Sequence, residues 1–419
     1  MTRTPLPILA LLIAYPASAQ TSSHLELARR VLSSTPLIDG HNDLPWAIRE
    51  SATARASVEQ YDLRRRTPGH TDLERLKTGM LGGQFWSVYI PGEIRDSGYA
   101  RVQLEQIDIG RRIIDRYPEA FQWALTSDQM RAAFAAGRVG SVLGMEGGHA
   151  IENSLGALRA FYDLGVRYMT LTHNVTLDWA DAALDSVRHG GLSRFGEEVV
   201  REMNRLGMLV DVSHTSPATM SDALSVAQAP VIFSHSSARA LVDHPRNVPD
   251  SILRRLPANG GVVMVTFVTS FVSRASKEHS DRRDAAVRAL EQRLGRDTAA
   301  VSREVAAWDR QNPAPTVRLS EVADHIDHIR RTAGVDHVGI GSDFDGISEV
   351  IEGLEDVTTF PALFAELARR GWTEADLRKL AGENVLRVMA RAQEVAMRLR
   401  RERPPSNRTI LELDGRPRA

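Results

Sequence analysis

The segment that decides the fold is SLGALRAFYDLGVRYMTLTH, which covers residues 154–173. Ser154 is a typical helix N-cap, and the apolar residues after it recur at the three- and four-residue spacing of a helix with one buried face. Gly165 ends the predicted helix, and residues 166–172 have the apolar and aromatic composition of a strand. His173 follows that strand directly. The segment therefore predicts a helix, a strand and then a polar residue at the carboxyl end of the strand.

The same unit recurs from residue 24 almost to the end of the chain. Apolar runs of strand length alternate with helical patterns, which is typical of a parallel sheet that is buried on both faces. Eight runs qualify as strands, namely residues 37–39, 84–90, 141–145, 166–172, 208–212, 231–233, 262–267 and 337–341. Eight such strands favour the α/β class and a single-domain (β/α)8 barrel of the TIM type over a doubly wound open sheet. No Gly-x-Gly-x-x-Gly motif follows the first strand, so a nucleotide site is not indicated.

Two segments depart from this alternation. Residues 273–319 form a charged insert with a helical pattern. We interpret this insert as surface helices, and the alternatives are a lid or a contact in a homodimer. Residues 404–419 are rich in Arg and Pro and predict a flexible tail. The barrel domain is therefore assigned to residues 20–403.

Residues 1–19 predict a cleaved signal peptide. Arg3 supplies a positive charge, residues 8–13 are apolar, and residues 17–19 have the small side chains of a cleavage site. We therefore expect an exported protein, either periplasmic or secreted, and the sequence predicts no membrane span. The chain contains no cysteine, so disulfides are excluded and any zinc must be held by nitrogen and oxygen atoms.

The overall charge excludes some classes of partner. The 419-residue chain has a formal net charge of -1, and its short basic runs lack interleaved aromatic residues. Neither nucleic acid nor an acidic membrane surface is therefore an expected partner.

Polar residues stand at the carboxyl ends of several predicted strands, where parallel barrels hold their chemistry. His41 and Asp43 are two residues apart after the first strand, so their side chains point the same way and would hold one metal ion. His214 and His235 end two later strands and would hold a second ion. Glu146 ends the third strand, and its two carboxylate oxygens could bridge the two ions. Each of these residues, taken alone, would more often have a structural role.

Further candidate residues at the strand ends are suited to binding a substrate or transferring a proton. Asp343 could take a proton from a water shared by two metals and pass it to a leaving amine, and Asp345 competes for that role or caps the next helix. His173 could stabilise the oxyanion that forms when hydroxide attacks a carbonyl. Arg246 is suited to a substrate carboxylate, although an exposed structural arginine is the commoner case.

An ordered set of nine motifs extends this pattern over residues 37–390. The motifs are residues 38–45, 82–87, 146–149, 171–174, 178–181, 211–214, 234–237, 246–249 and 341–346. Together they resemble the membrane (renal) dipeptidase family of the metal-dependent amidohydrolase superfamily. The resemblance implies a (β/α)8 barrel with two zinc ions that hydrolyses dipeptides by attack of a hydroxide shared between the metals.

The resemblance also implies a role for each candidate residue. Its zinc ligands correspond to His41, Asp43, Glu146, His214 and His235, with Glu146 as the bridge. The substrate-contacting and proton-handling positions match His173, Arg246 and Asp343, which favours Asp343 over Asp345.

Four features depart from the animal members that the chain resembles. This chain has neither cysteine nor the signal for a C-terminal lipid anchor, and its insert after Phe271 is longer. A family tyrosine aligns with Phe271, which cannot donate a hydrogen bond, so one substrate contact, and with it the substrate range, is expected to differ. Two alternative functions are compatible with the same residues. One is a related barrel hydrolase of another amide, a lactone or a phosphoester, and the other is a non-catalytic periplasmic solute- or zinc-binding protein.

Overall fold

The computed structural model describes residues 17–94 and 98–415, and its strands form one closed sheet. The strands of the described chain are β1 (Leu37–Asn42), β2 (Leu81–Ser87), β3 (Phe121–Trp123), β4 (Val139–Glu146), β5 (Val166–Thr170), β6 (Leu209–Asp211), β7 (Ile232–Phe233), β8 (Val262–Val265) and β9 (Val338–Ile340). Eight of them, all except β3, form a parallel barrel that closes where β2 pairs with β4. The predicted (β/α)8 barrel is confirmed.

Helices follow the strands and cover the outside of the barrel. Over the described residues they are α1 (Ala17–Ser34), α2 (Leu44–Glu50), α3 (Leu73–Thr78), α4 (Tyr99–Arg116), α5 (Ser127–Ala135), α6 (Leu155–Asp163), α7 (Arg194–Leu206), α8 (Pro217–Val226), α9 (Asp250–Leu253), α10 (Leu256–Asn259), α11 (Thr269–Val272), α12 (Arg274–Leu294), α13 (Thr298–Gln311), α14 (Leu319–Ala333), α15 (Phe360–Arg369), α16 (Glu374–Arg378), α17 (Asn384–Glu402) and α18 (Ile410–Asp414). None of these helices combines the length and hydropathy that crossing a membrane needs.

The helix–strand unit that predicted the fold is present as α6 and β5. Ser154 caps α6 by accepting a hydrogen bond from the backbone N–H of Ala157, and α6 buries Leu155, Leu158 and Phe161. Gly165 has a φ of 111°, a conformation that L side chains rarely adopt, and it turns the chain into β5. The local sequence therefore specifies this unit through a cap, an apolar face and a glycine stop.

The structure corrects the predicted start of the second strand. β2 begins at Leu81 rather than at residue 84, because Gly82 and Gly83 lie within the strand. A Cβ on Gly83 would lie 2.7 Å from the sulfur of Met130, and one on Gly82 would lie 2.7 Å from Cα of Pro36. These glycines therefore permit close packing of neighbouring segments rather than a turn before the strand.

The structure also contains a ninth strand that the sequence analysis did not identify. β3 pairs with residues 139–141 in the first half of β4, while β5 pairs with residues 143–146 in its second half. β3 therefore extends the sheet at the amino end of the barrel, away from the carboxyl ends of the strands.

The charged insert contains two helices, α12 and α13, which are joined by hydrogen bonds of 2.8 and 3.1 Å from Arg283 to Asp309. The segment that predicts a flexible tail includes α18, and it is held to the barrel by polar contacts that its composition does not indicate. Arg159 donates to the carbonyl of Ser406 at 2.8 Å, and Asp414 accepts from Ser193 at 2.7 Å. Residues 416–419 and residues 1–16 of the predicted signal peptide lie outside the described residues.

Candidate metal centre

The five predicted metal ligands lie together at the carboxyl ends of the barrel strands. His41 Nε2 is 3.2 Å from Asp43 Oδ2 and 3.6 Å from Glu146 Oε2. On the other side, Glu146 Oε1 is 2.9 Å from His214 Nε2 and 3.3 Å from His235 Nε2. The two oxygens of Glu146 thus face two different groups of ligand atoms. A carboxylate in this position is suited to bridging two cations.

Hydrogen bonds fix the orientation of His214 and His235. His214 Nδ1 lies 3.0 Å from the amide oxygen of Asn174, which can only accept, so Nδ1 carries the proton. Ser234 donates its hydroxyl to Asp211 at 2.6 Å and therefore accepts from His235 Nδ1 at 2.8 Å. Both neutral rings then present an unprotonated Nε2 to the site.

The resulting cluster of acceptors suits a cation. His214 Nε2 and His235 Nε2 are only 2.9 Å apart, and both face the same oxygen of Glu146. Burial lowers the pKa of each imidazole well below its usual value, so neither ring readily supplies a proton. Two ring nitrogens and a carboxylate oxygen that converge in this way match the ligands of a zinc ion.

The half of the site that contains His41 also fits a metal ion. Among the described residues, His41 Nε2 and Asp43 Oδ1 are buried without a hydrogen-bond partner. His41 Nδ1 lies 2.8 Å from the hydroxyl of Tyr168, which orients Nε2 towards the site. The site thus has two groups of nitrogen and oxygen atoms, one on each side of the Glu146 carboxylate. Zinc accepts ligands of both kinds.

The carboxyl groups of the site repel one another and are buried. Burial raises the pKa of Glu146 to about 8 and that of Asp343 to about 7. Burial acts to lower the pKa of His41, but the charges of Asp43 and Glu146 outweigh it and raise that pKa to about 10. The protein groups alone therefore disfavour the ionised forms of Glu146 and Asp343, and cations at the site would favour them.

His173 lies closer to the ligand atoms than the sequence analysis assumed. Together with Glu146 and His214 it forms one of the groups that could hold a metal ion, with ligand atoms within 4.8 Å of one another. Burial, and next the charge of Arg246, lower the pKa of His173 to about 3. Its ring also lies 4.7 Å from that of Tyr89. A neutral imidazole in this position could contact either a metal or a substrate oxygen.

The structure separates the two aspartates after β9. Asp343 lines the pocket above the ligands, and its Oδ1 is 3.9 Å from His41 Nε2. Asp345 instead accepts a hydrogen bond of 2.7 Å from the backbone N–H of His70. Asp39 in β1 holds the loop in place through hydrogen bonds of 2.7 and 2.6 Å from Ser342. Only Asp343 is therefore placed to reach a bound substrate.

Backbone strain marks two residues of the site. His214 and Asp343 have φ values of 64° and 69°, in the left-handed region that few non-glycine residues adopt. Such conformations persist where surrounding contacts hold them, and they concentrate at functional sites.

Arg246 lies in the wall of the same pocket, which has a volume of about 300 Å³. Arg246 is only 1% exposed, and its Nη1 has no hydrogen-bond partner among the described residues. Burial lowers the pKa of Arg246 to about 10, so it keeps its charge at neutral pH. The aromatic ring of Phe271 lies 5.2 Å from the guanidinium carbon. A buried cation with free donors is suited to a substrate carboxylate.

Several supporting residues were not identified from the sequence. They are Tyr168, Asn174, Asp211 and Ser234, which orient the ligand histidines. A signal for two of them was present, since Asp211 and Ser234 are polar residues at the ends of apolar runs beside His214 and His235. Tyr168 gave no such signal, because an aromatic residue within a strand is expected to be part of the core.

Comparison with known proteins identifies relatives of the whole barrel. A family model described as membrane dipeptidase, peptidase family M19, matches residues 25–403. Among solved structures, the probable dipeptidase PvdM from Pseudomonas aeruginosa is 25% identical, with a TM-score of 0.78 over 91% of this chain and 100% of that one.

Two further structures are similar in sequence and fold. A metallopeptidase from Rhodobacter sphaeroides, solved with a phosphinate mimic of the dipeptide L-Ala-D-Ala, is 26% identical, with a TM-score of 0.69 over 85% of this chain and 99% of that one. Dipeptidase AC, a metallopeptidase of family M19, is 27% identical, with a TM-score of 0.69 over 86% of this chain and 99% of that one.

Proposed function

Because the chain belongs to the membrane dipeptidase family, peptidase family M19, we propose that it is an exported dipeptidase with two zinc ions. Its substrates would be dipeptides with a free C-terminal carboxylate. One observation carries the proposal. Glu146 directs one oxygen towards His41 and the other towards His214 and His235, as a bridging carboxylate would.

The metal-binding part of the proposal rests on the buried donor atoms. One zinc would be held by His41 and Asp43, the other by His214 and His235, and Glu146 would be shared. When bound, the two ions would activate a water molecule as nucleophile and polarise the carbonyl of the peptide bond. The chain's own residues would bind and orient the substrate and move the proton.

Arg246 is the expected anchor for the substrate. Its unpartnered Nη1 and its position in the wall of the pocket support a hydrogen-bonded pair with the C-terminal carboxylate of a dipeptide. Fixing that end would hold the peptide bond in the pocket that Glu146 also lines. A substrate without the carboxylate would lose this orientation.

Asp343 and His173 are the expected groups for proton transfer and oxyanion stabilisation. Asp343 lines the pocket on the side of His41, and its raised pKa suits a group that takes up a proton and releases it to the leaving amine. His173 is neutral at pH 7 and lines the same pocket, where a ring N–H could donate to the carbonyl oxygen as negative charge develops.

Export is proposed from the sequence of residues 1–19. A positive residue, a short apolar stretch and small residues before Gln20 support a cleaved signal peptide. An intact N-terminus on the protein recovered from the native cell would contradict this part of the proposal.

A panel of substrates tests the proposed function. We expect hydrolysis of L-Ala-L-Ala or L-Ala-D-Ala, and much slower hydrolysis of the same dipeptides with an amidated C-terminus, because the amide gives Arg246 no carboxylate. The D-residue is included because the similar Rhodobacter sphaeroides enzyme was solved with a mimic of that dipeptide. Product release measured by ninhydrin or chromatography gives the rates.

The same panel, extended by a lactone and a phosphoester, separates the alternatives. Hydrolysis of a lactone or a phosphoester without hydrolysis of any dipeptide would indicate a related barrel hydrolase. The closed barrel of the described residues has no two lobes around a hinge, so it does not support the solute-binding alternative.

A further inference from the structure

A second cavity lies beside the pocket of the metal centre. It has a volume of about 620 Å³, against about 300 Å³ for the pocket above the ligands. Phe271, Asp343 and Gly346 line both of them, so the two spaces adjoin. A dipeptide held between Arg246 and Asp343 therefore has room beside it for a long side chain. We call this second space the side cavity.

The insert forms the outer wall of the side cavity. α12 contributes Ser276, His279 and Asp284, and α13 contributes Asp309. The inner wall consists of residues 268–271, at the start of α11 after β8, and of residues 346–349 in the loop after β9. The insert that the sequence analysis interpreted as surface helices thus reaches the substrate region.

The side cavity carries an excess of negative charge. Four carboxylates and one guanidinium line it. That guanidinium, on Arg283, is already bound by both oxygens of Asp309. Glu349 accepts one hydrogen bond of 2.9 Å from Thr269, and neither Glu349 nor Asp284 forms an ion pair within the described part of the chain. A cleft lined by one sign of charge concentrates ligands of the opposite sign.

Apolar groups in the wall of the side cavity complement this charge. Phe271 and Ile347 line the side cavity near the shared residues Asp343 and Gly346. Lys and Arg side chains consist of an apolar stem and a cationic end, so their stems can pack on apolar walls while the charge reaches polar ones. An acidic side chain in the same place would meet Asp284 and Glu349 without a free cation.

We propose that the side cavity is a subsite for a substrate side chain that carries an ammonium or guanidinium group. The enzyme would therefore prefer dipeptides that contain Lys or Arg. This inference rests on the proposed dipeptidase function and adds the chemical class of the favoured side chain. The charged determinants are Asp284 and Glu349, neither of which takes part in the proposed catalysis.

Substrate series test this proposal. Dipeptides of Ala with Lys, Gln or Glu, placed at either position, would be compared by kcat/KM with Ala-Ala. We expect a preference for Lys over Gln of about five- to twentyfold at one position at least, since each partly screened charge contributes modestly, and Glu should be the poorest. In the double variant Asp284→Asn/Glu349→Gln the preference should fall to within about twofold, while Ala-Ala hydrolysis stays unchanged.

Two further variants make the result specific. Glu349→Lys should reverse the order and favour Glu over Lys. Glu278→Gln is the matched control, because it removes one negative charge from the exposed surface of the same insert without lining the side cavity. The Glu278→Gln enzyme should prefer Lys to the same extent as the wild type.

The outcomes distinguish this inference from the proposed function. If Ala-Ala is hydrolysed but Lys, Gln and Glu are accepted equally at both positions, or if the double variant keeps the full preference for Lys, the subsite is wrong and the dipeptidase function stands. If no dipeptide is hydrolysed by the zinc-loaded enzyme, the proposed function itself fails.

Discussion

Replacing Asp343 by Asn should leave the metal content and the affinity for dipeptide close to those of the wild type, yet lower kcat by about 10²–10⁴-fold. Asn has the same shape as Asp and tolerates the left-handed backbone at this position, where φ is 69°. It cannot accept and return a proton. Steady-state kinetics and metal analysis of the same preparation would measure both effects.

Asp345→Asn is the matched control. Asp345 is two residues away, shares the left-handed backbone with a φ of 64°, and faces His70 instead of the pocket. An Asn there keeps the oxygen that accepts from His70, so kcat should change little. A near-normal kcat for Asp343→Asn would mean that another group handles the proton.

Replacing Arg246 by Ala should weaken substrate capture more than it affects the chemical step. Hydrogen bonds to charged groups contribute about 1.5–3 kcal/mol, so kcat/KM for dipeptides should fall about 10- to 150-fold, mainly through a higher KM. The value of kcat should fall only to the extent that the pair between Arg246 and the substrate carboxylate also orients the peptide bond.

The amidated dipeptide is the control for this variant. It has no carboxylate to lose, so wild type and Arg246→Ala should hydrolyse it at similar, low rates. Arg246→Lys keeps a positive charge but cannot form a bidentate pair with a carboxylate. It should give an intermediate kcat/KM for ordinary dipeptides. Equal losses for both substrates in Arg246→Ala would show that Arg246 has only a structural role, since its side chain is buried against Phe271.

The position of the candidate site could be predicted from sequence for a physical reason. Parallel strands in a barrel all end at one face, so polar residues that follow apolar runs must meet there. His41, Glu146, His214 and His235 are far apart in the chain but satisfy this rule, and the structure brings their ligand atoms together.

Other features depend on contacts between strands that no local pattern reveals. Asp211 accepts hydrogen bonds from Thr170 in β5 and Ser234 after β7, which requires the register of three strands. The strand β3 is three residues long and has Gln122 at its centre, so it lacks an apolar run. The side cavity depends on how α12 and α13 lie against α11 and the loop after β9.

Metal content is the most direct test of the central claim that Glu146 joins two zinc sites. Protein purified without chelator, or reloaded with zinc after dialysis, would be analysed by inductively coupled plasma mass spectrometry together with its dipeptidase activity. We predict close to two zinc ions per chain in the wild type, and loss of bound zinc and of activity in Glu146→Ala, whereas Glu278→Ala keeps both. Fully active wild-type protein that contains one zinc ion or none would contradict the account.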